Sequence, residues 1–292
     1  MSILDSLKED IEQINRLLPR EADGELTALL TDSQNYSLSA GGKRIRPLIV
    51  LLTARLFGGK RASAMPYALA VELIHTASLI HDDMPEIDND DKRRGKPTNH
   101  KVFGQSTALL AGDGLFIDAF SLLSSNAELD DAANIRAVRI LSRAAGSLGL
   151  VGGEFIDVLC EGRKIDIETL RTMHSKKTGA LILAAARLGA VAAGVAEDDE
   201  RYLDISEFAR GIGLAFQIVD DALDRVASED ALGKPIGSDE RCKKATYLSF
   251  YTPEQALVLA GEITEEAISY IEKYEGSETL ISLARELAYR RS

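Results

Sequence analysis

Apolar residues recur along this chain at the three- and four-residue spacing of helices rather than in strict alternation. The extreme case is the run ALILAAARLGAVAA from Ala180 to Ala193. It is apolar on every side and built of small residues, the pattern of a helix enclosed by other helices. The periodic segments predict helices at 2–17, 21–30, 43–57, 62–84, 105–125, 130–159, 167–195, 198–225, 253–274 and 277–290. Proline placement agrees: seven prolines punctuate the chain, and none falls between residues 98 and 234. A proline in a helix interior costs about 3 kcal/mol, so that long interval is permissive for helix. Hairpin signals between alternating segments do not recur. Connections are short and no Gly/Ser/Pro-rich linker divides the sequence. The expectation is an all-α, single-domain antiparallel helix bundle covering residues 1–292.

Composition narrows the class. The 292 residues are 45% hydrophobic and 27% charged, a globular balance that excludes disordered, collagen-like and disulfide-scaffold chains. With eight Phe, eight Tyr and no Trp, the core must be aliphatic. Two cysteines, Cys160 and Cys242, make neither a disulfide framework nor a zinc cluster and suit a reducing compartment. The net charge of -12 argues against a nucleic-acid partner, which calls for a basic footprint. The N-terminal residues Met1 to Arg20 are amphipathic, unlike the basic start and apolar run of a secretory signal. The apolar stretch Pro47 to Leu52 falls well short of the roughly 18 residues of a membrane span. A cytoplasmic location with no membrane span is expected.

Two acidic clusters carry the candidate chemistry. The first runs His81-Asp82-Asp83-Met84-Pro85-Glu86-Ile87-Asp88, the second Gln217-Ile218-Val219-Asp220-Asp221-Ala222-Leu223-Asp224. Each follows an apolar helical segment, so its carboxylates sit where a buried helix emerges. Asp220 and Asp224 are four apart and share a helix face. Like charges there repel by a few tenths of a kcal/mol, about what a hard divalent cation would relieve. Mg²⁺ suits such a site, because it takes one or two carboxylates and completes its shell with water and phosphate oxygens. Asp82 and Asp88 are six apart, about 240° around a regular helix, and cannot share a face of one. Pro85 between them predicts a helix end that lets Asp88 swing back towards Asp82, with Glu86 as the geometric rival.

Basic residues accompany the acids. Lys92, Arg93 and Arg94 follow the first cluster directly, and Gly41-Gly42-Lys43-Arg44-Ile45-Arg46 lies upstream. A Gly-Gly pair lets backbone approach a ligand, and arginine forks grip phosphate oxygens. Lys176-Lys177-Thr178-Gly179 and Lys234 are further candidates. Each alone is more often solvated surface than a phosphate site. Together, carboxylates on two helices and several phosphate-type basic sites point to a diphosphate bridged by Mg²⁺, with an apolar tail against aliphatic helices.

These motifs resemble those of the trans-isoprenyl diphosphate synthases. The resemblance spans the chain, from GGKRIRP at 41–47 through HDDMPEIDNDDKRRGKPTNH at 81–100 and FQIVDDALD at 216–224 to GKPIGSD at 233–239 and KATY at 244–247. It implies a helix bundle around a deep central cavity, a homodimer, and about three Mg²⁺ ions per site. It implies metal binding by Asp82, Asp83 and Asp88 and by Asp220, Asp221 and Asp224. Arg93, Lys177, Thr178, Gln217 and Lys234 match allylic-diphosphate contacts, while Gly42, Lys43, Arg46, His75 and Arg94 match the isopentenyl diphosphate site. The chain departs where the family often has Gly-Gly-Gln, here Gly152-Gly153-Glu154, and at Lys243-Lys244 before the late Thr-Tyr, which leaves Lys244 without a firm role.

The implied reaction adds isopentenyl diphosphate to dimethylallyl, geranyl or farnesyl diphosphate. In the family the residues four and five before the first Asp form the floor that limits product length, here Ser78 and Ala77. Their small size favours twenty carbons, with fifteen as the rival. Some relatives are non-catalytic, partner-binding subunits, but those have damaged Asp motifs, and both motifs are intact here. A metal phosphohydrolase built on His81-Asp82 would call for more metal-spaced histidines than His75, His81, His100 and His174 supply. Six of the negative charges now have an address, since Asp82, Asp83, Asp88, Asp220, Asp221 and Asp224 would be balanced by three Mg²⁺.

Overall fold

The computed structural model describes residues 2–229 and 245–289, with the side chains of 224–229 excepted. Lys234 and Lys244 lie outside the described residues, as does the side chain of Asp224. Fourteen α-helices are described: α1 Ile3–Ser6, α2 Lys8–Leu17, α3 Ala28–Leu38, α4 Ile45–Leu56, α5 Arg61–Asp82, α6 Asn99–Phe103, α7 Gln105–Ser124, α8 Asp131–Ala145, α9 Leu150–Cys160, α10 Ile167–His174, α11 Ala180–Ala192, α12 Glu200–Glu229, α13 Pro253–Ile271 and α14 Glu278–Tyr289. The fold is all-α, as the periodicity predicts. Among the described residues the strands amount to one two-residue pair, Lys92–Arg93 against Lys96–Pro97.

The core is aliphatic and alanine-rich. Helix α11 contributes Leu181, Ile182, Leu188 and Val191 together with five buried alanines. It packs against α4, α5, α8 and α12, so it is enclosed as its composition requires. Gly189 makes the α4 contact possible, since a Cβ there would fall 2.5 Å from the Val50 carbonyl oxygen. Helix α5 is long and apolar enough to cross a membrane, but 83% of its apolar window is buried inside the protein. Helix α7 passes the same test, yet it packs on α5, α3 and α8 and carries Asp113 and Asp118.

Four predicted helices differ, the one at 2–17 being two, α1 and α2, and a hairpin stands where no element is predicted. The helix predicted at 21–30 lies instead at Ala28–Leu38. Its inward face carries Thr31, Ser33 and Gln34, the latter two held by residues distant in sequence, as Ser33 Oγ donates to Asn99 Oδ1 at 2.8 Å, so it shows no apolar stripe. The single helix predicted at 130–159 is two, α8 and α9. They are separated at Gly146 to Gly149, where a Cβ on Gly149 would stand 2.1 Å from the Ala144 carbonyl oxygen. The helix predicted at 167–195 is continuous but passes through a π-helical turn, Ser175–Gly179, between α10 and α11. The hairpin at 92–97 has no Asn-Gly signal; Arg94 and Gly95 take its two left-handed positions.

Candidate active site

Helix α5 delivers the first acidic cluster. It ends at Asp82, and the chain then turns sharply through Pro85. The Asn89 and Ile87 amides donate to the Met84 carbonyl at 3.0 and 2.9 Å, and the Asp88 amide reaches the Asp82 carbonyl at 2.9 Å. The turn thus brings Asp88 back to Asp82, as the break at Pro85 predicts, while Glu86 is exposed. Asp83 points elsewhere. It is 3% exposed and accepts from Nε and a terminal nitrogen of Arg93, both at 2.6 Å to the same carboxylate oxygen. The hairpin presents this arginine, and its neighbour Arg94 donates to the Gly41 carbonyl. Gly42, with φ +133, lies against that guanidinium; a Cβ there would be 2.9 Å from it.

Helix α9 and the π turn position Lys177. Its ammonium lies 2.7 Å from Glu154 Oε2 and 2.6 Å from Asp157 Oδ2. π turns arise where the i→i−4 ladder is locally widened, frequently at functional sites. Asp157 lies outside the motifs singled out from the sequence, where Glu154 entered only as the departure from Gly-Gly-Gln. Their signal is two carboxylates three residues apart on a helix otherwise rich in Leu, Val, Phe and Ile.

The next residue opens a relay to the second cluster. Thr178 Oγ1 donates to Gln217 Oε1 at 2.8 Å, Gln217 Nε2 donates to Asp221 Oδ1 at 2.9 Å, and the Tyr247 amide donates to Asp221 Oδ2 at 2.8 Å. Asp221 therefore ties α12 to the segment entering α13. Its neighbour Asp220 is half-buried and lies within electrostatic reach of Arg46.

The upstream basic knot divides by role. Lys43 is exposed. Arg44 turns inward with φ +51 and forms a buried ion pair with Glu72 at 2.6 Å. It also donates to the Leu38 carbonyl and Asn15 Oδ1. Arg46 stays beside the site, with its guanidinium 3.5 Å from His75 Nε2. Burial holds the His75 imidazole well below its usual range, and Arg46, Arg94, Arg93 and Arg44 add to the effect, so His75 is neutral at pH 7.

Charge is concentrated at the mouth of α5. Burial raises the Asp82 carboxyl to about 7, and the charges of Glu154 and Asp88 add to it, against Lys177 and Arg93. Burial also lowers Lys177, but Glu154, Asp157 and Asp82 outweigh it and raise the ammonium above its usual range. Among the described residues no three carboxylates or histidines converge into a ready-made metal cage. The donors are nonetheless hard oxygens, and the surplus of negative charge at Asp82 is what a divalent cation relieves. That fits Mg²⁺, which relies on few protein carboxylates and takes its remaining ligands from water and phosphate. Ala77 is fully buried in α5, and Ser78 is buried with its hydroxyl donating to the His75 carbonyl at 2.9 Å.

Residues 27–279 match the family model described as polyprenyl synthetase. A geranylgeranyl diphosphate synthase from Cyanophora paradoxa is 47% identical over 266 residues, covering 89% of this chain and 86% of that protein. A farnesyl diphosphate synthase from Geobacillus stearothermophilus is 45% identical over 253 residues, covering 85% and 84%. Among solved structures, an FPP/GFPP synthase from Zymomonas mobilis in its apo form superposes with a TM-score of 0.86 at 34% identity, covering 98% of this chain and 99% of that one. The geranylgeranyl pyrophosphate synthetase of Pyrococcus horikoshii superposes with a TM-score of 0.87 at 31% identity, covering 99% and 98%.

Proposed function

The chain belongs to the polyprenyl synthetase family, and from that premise we propose that it is a Mg²⁺-dependent, short-chain trans-prenyltransferase whose product is geranylgeranyl diphosphate. The observation that carries this reading is the convergence of opposite charges. The Asp82–Asp88 turn, Lys177 and Arg93 act on one another electrostatically, and Asp220 of α12 acts on Arg46. Acidic groups for a cation and basic groups for a diphosphate thus share one site. We take residues 1–292 as one catalytic domain around a central cavity.

Asp82 and Asp88 on one wall and Asp220 on the other would hold the Mg²⁺ ions, about three by family likeness. Asp83, Asp221 and Asp224 belong to the same motifs, with Asp83 also orienting Arg93 and Asp221 also anchoring α12. When bound, Mg²⁺ supplies electrostatic and Lewis-acid stabilisation of the leaving diphosphate. Lys177 and Arg93 grip the allylic diphosphate, with Thr178, Gln217 and Lys234 alongside. Gly42, Lys43, Arg46, His75 and Arg94 hold isopentenyl diphosphate. Two arginines at a single anion site direct the second substrate while its double bond stays free to react. The allylic C–O bond breaks and its electron pair leaves with the diphosphate. The isopentenyl double bond attacks the allylic cation, and the proton it then loses passes to the departed diphosphate. The positive side chains act in the transition state, where charge builds on the leaving group.

The buried, small Ala77 and Ser78 leave room for a twenty-carbon chain. We take the protein as a homodimer, supported by exposed apolar side chains on α7 (Leu110 and Ile117) and α9 (Val151 and Phe155). We place it in the cytoplasm. The intact charged set gives no support to a non-catalytic, partner-binding subunit. Incubation with isopentenyl diphosphate and dimethylallyl, geranyl or farnesyl diphosphate in Mg²⁺, followed by product chromatography, tests the reading. A twenty-carbon product from all three starters is expected; a product of fifteen carbons moves the floor elsewhere.

A further inference from the structure

Two carboxylates hold the ammonium of Lys177 at once, Glu154 at 2.7 Å and Asp157 at 2.6 Å. They lie three apart on α9, so they stack on one helix face. The ammonium donates a hydrogen bond to Asp157, while Glu154 sits in ion-pair range with neither carboxylate oxygen hydrogen-bonded. The pairing is shielded, with Glu154 13% and Asp157 9% exposed at the side chain. The backbone enforces it: α9 approaches so closely that a Cβ on Gly153 would fall 2.1 Å from the Lys177 amide nitrogen. The π turn carrying Lys177 is held by Thr178 to Gln217 on its other side. One positive charge therefore faces two negative ones. Glu154 is the partner that also bears on the acidic wall, because its charge acts on Asp82 and feels that of Asp88. An incoming diphosphate meets a lysine already neutralised and a site that repels it.

Building on the diphosphate site read above, we propose that Glu154 is a positioning residue that withholds Lys177 from diphosphate until a divalent cation is bound at the acidic wall. Asp157 keeps the ammonium in place, and Glu154 supplies the surplus charge. Diphosphate binding at this end of the site is thereby made conditional on metal.

The test is calorimetric titration of the full-length protein with inorganic diphosphate, first in chelator at low ionic strength and then in saturating Mg²⁺. Glu154→Gln keeps the shape and removes the charge. It should bind diphosphate about tenfold more tightly than wild type without metal, about 1.4 kcal/mol, and the gap should narrow to about twofold or less in Mg²⁺. Glu154→Ala should show the same order. Glu154→Gln combined with Lys177→Met should lose the gain. Equal or weaker metal-free binding by Glu154→Gln, or a gain that persists without Lys177, overturns the role of Glu154. Absence of diphosphate binding by the wild type in saturating Mg²⁺ overturns the diphosphate site itself, and this inference with it.

Discussion

The amide of Asp88 donates to the carbonyl of Asp82 at 2.9 Å, closing a seven-residue turn at the end of α5. A regular helix would send these residues to different faces. The turn through Pro85 fixes them as neighbours, and the charge of Asp88 adds to the cost that burial puts on ionising Asp82. This is the geometric basis for reading the α5 end as a cation site.

If Asp82 and Asp220 act at that site, Asp82→Ala and Asp220→Ala should each lower kcat by about 10²–10³, the usual loss when charge stabilisation of a transition state is removed. Melting temperatures should hold or rise, because each change deletes a carboxylate from a crowded acidic region. Steady-state kinetics with thermal melts checks both; near-normal rates in both variants would sink the assignment.

The product-length floor has its own test. Ala77 is fully buried, so Ala77→Phe must displace its neighbours or fill open space beside them. A product shortened towards fifteen carbons, at a stability cost under about 1 kcal/mol, marks a cavity wall. An unchanged product with a cost of about 1–3 kcal/mol marks ordinary core overpacking. Chromatography and chemical denaturation of the one variant distinguish the two.

The Arg44–Glu72 pair should act on stability rather than catalysis. With both side chains at or below 4% exposure, Glu72→Ala strands a buried guanidinium, at a cost of about 3–5 kcal/mol. Replacing both by apolar residues of similar volume should recover most of that. Denaturant melts of the single and double variants check it, and additive losses would contradict the pairing.

His174 makes stability depend on pH. Burial lowers its imidazole from 6.5 to about 4, with Lys177 also lowering it and Asp157 opposing. The unfolded chain takes up a proton below about pH 6.5 while the folded one stays neutral. The contribution is therefore full above pH 6.5 and is lost as pH falls towards 4. At pH 5 the loss is about 2 kcal/mol. His174→Phe keeps a ring beside Tyr247 and should flatten the pH dependence by that amount between pH 7.5 and 5. Parallel profiles would contradict it.

Most helices were legible because their stripes face the core: α5, α7, α12 and α13 fall within a few residues of the periodic pattern. Helix α3 was not, because Ser33 and Gln34 face inward and are satisfied by partners 66 and 77 residues away. The break between α8 and α9 depends on how closely Gly149 approaches Ala144, which periodicity does not encode. The acidic motifs were legible from spacing plus Pro85. What the spacing did not carry is how the work divides within each pair. Asp83 turns to Arg93 while Asp82 lies within electrostatic reach of Glu154 and Lys177, and Asp221 anchors Tyr247. Likewise Arg44 and Arg46 are two apart yet serve a buried pair and the site respectively. Those choices follow from which side of each helix end meets the neighbouring element.

The most direct test of the central claim is stoichiometry: diphosphate released per five-carbon unit joined, measured with isopentenyl and dimethylallyl diphosphates in Mg²⁺ and again in chelator. One diphosphate per unit joined in Mg²⁺, and neither release nor joining in chelator, is the predicted result. Diphosphate release without carbon–carbon bond formation, or joining that proceeds unchanged in chelator, would contradict it.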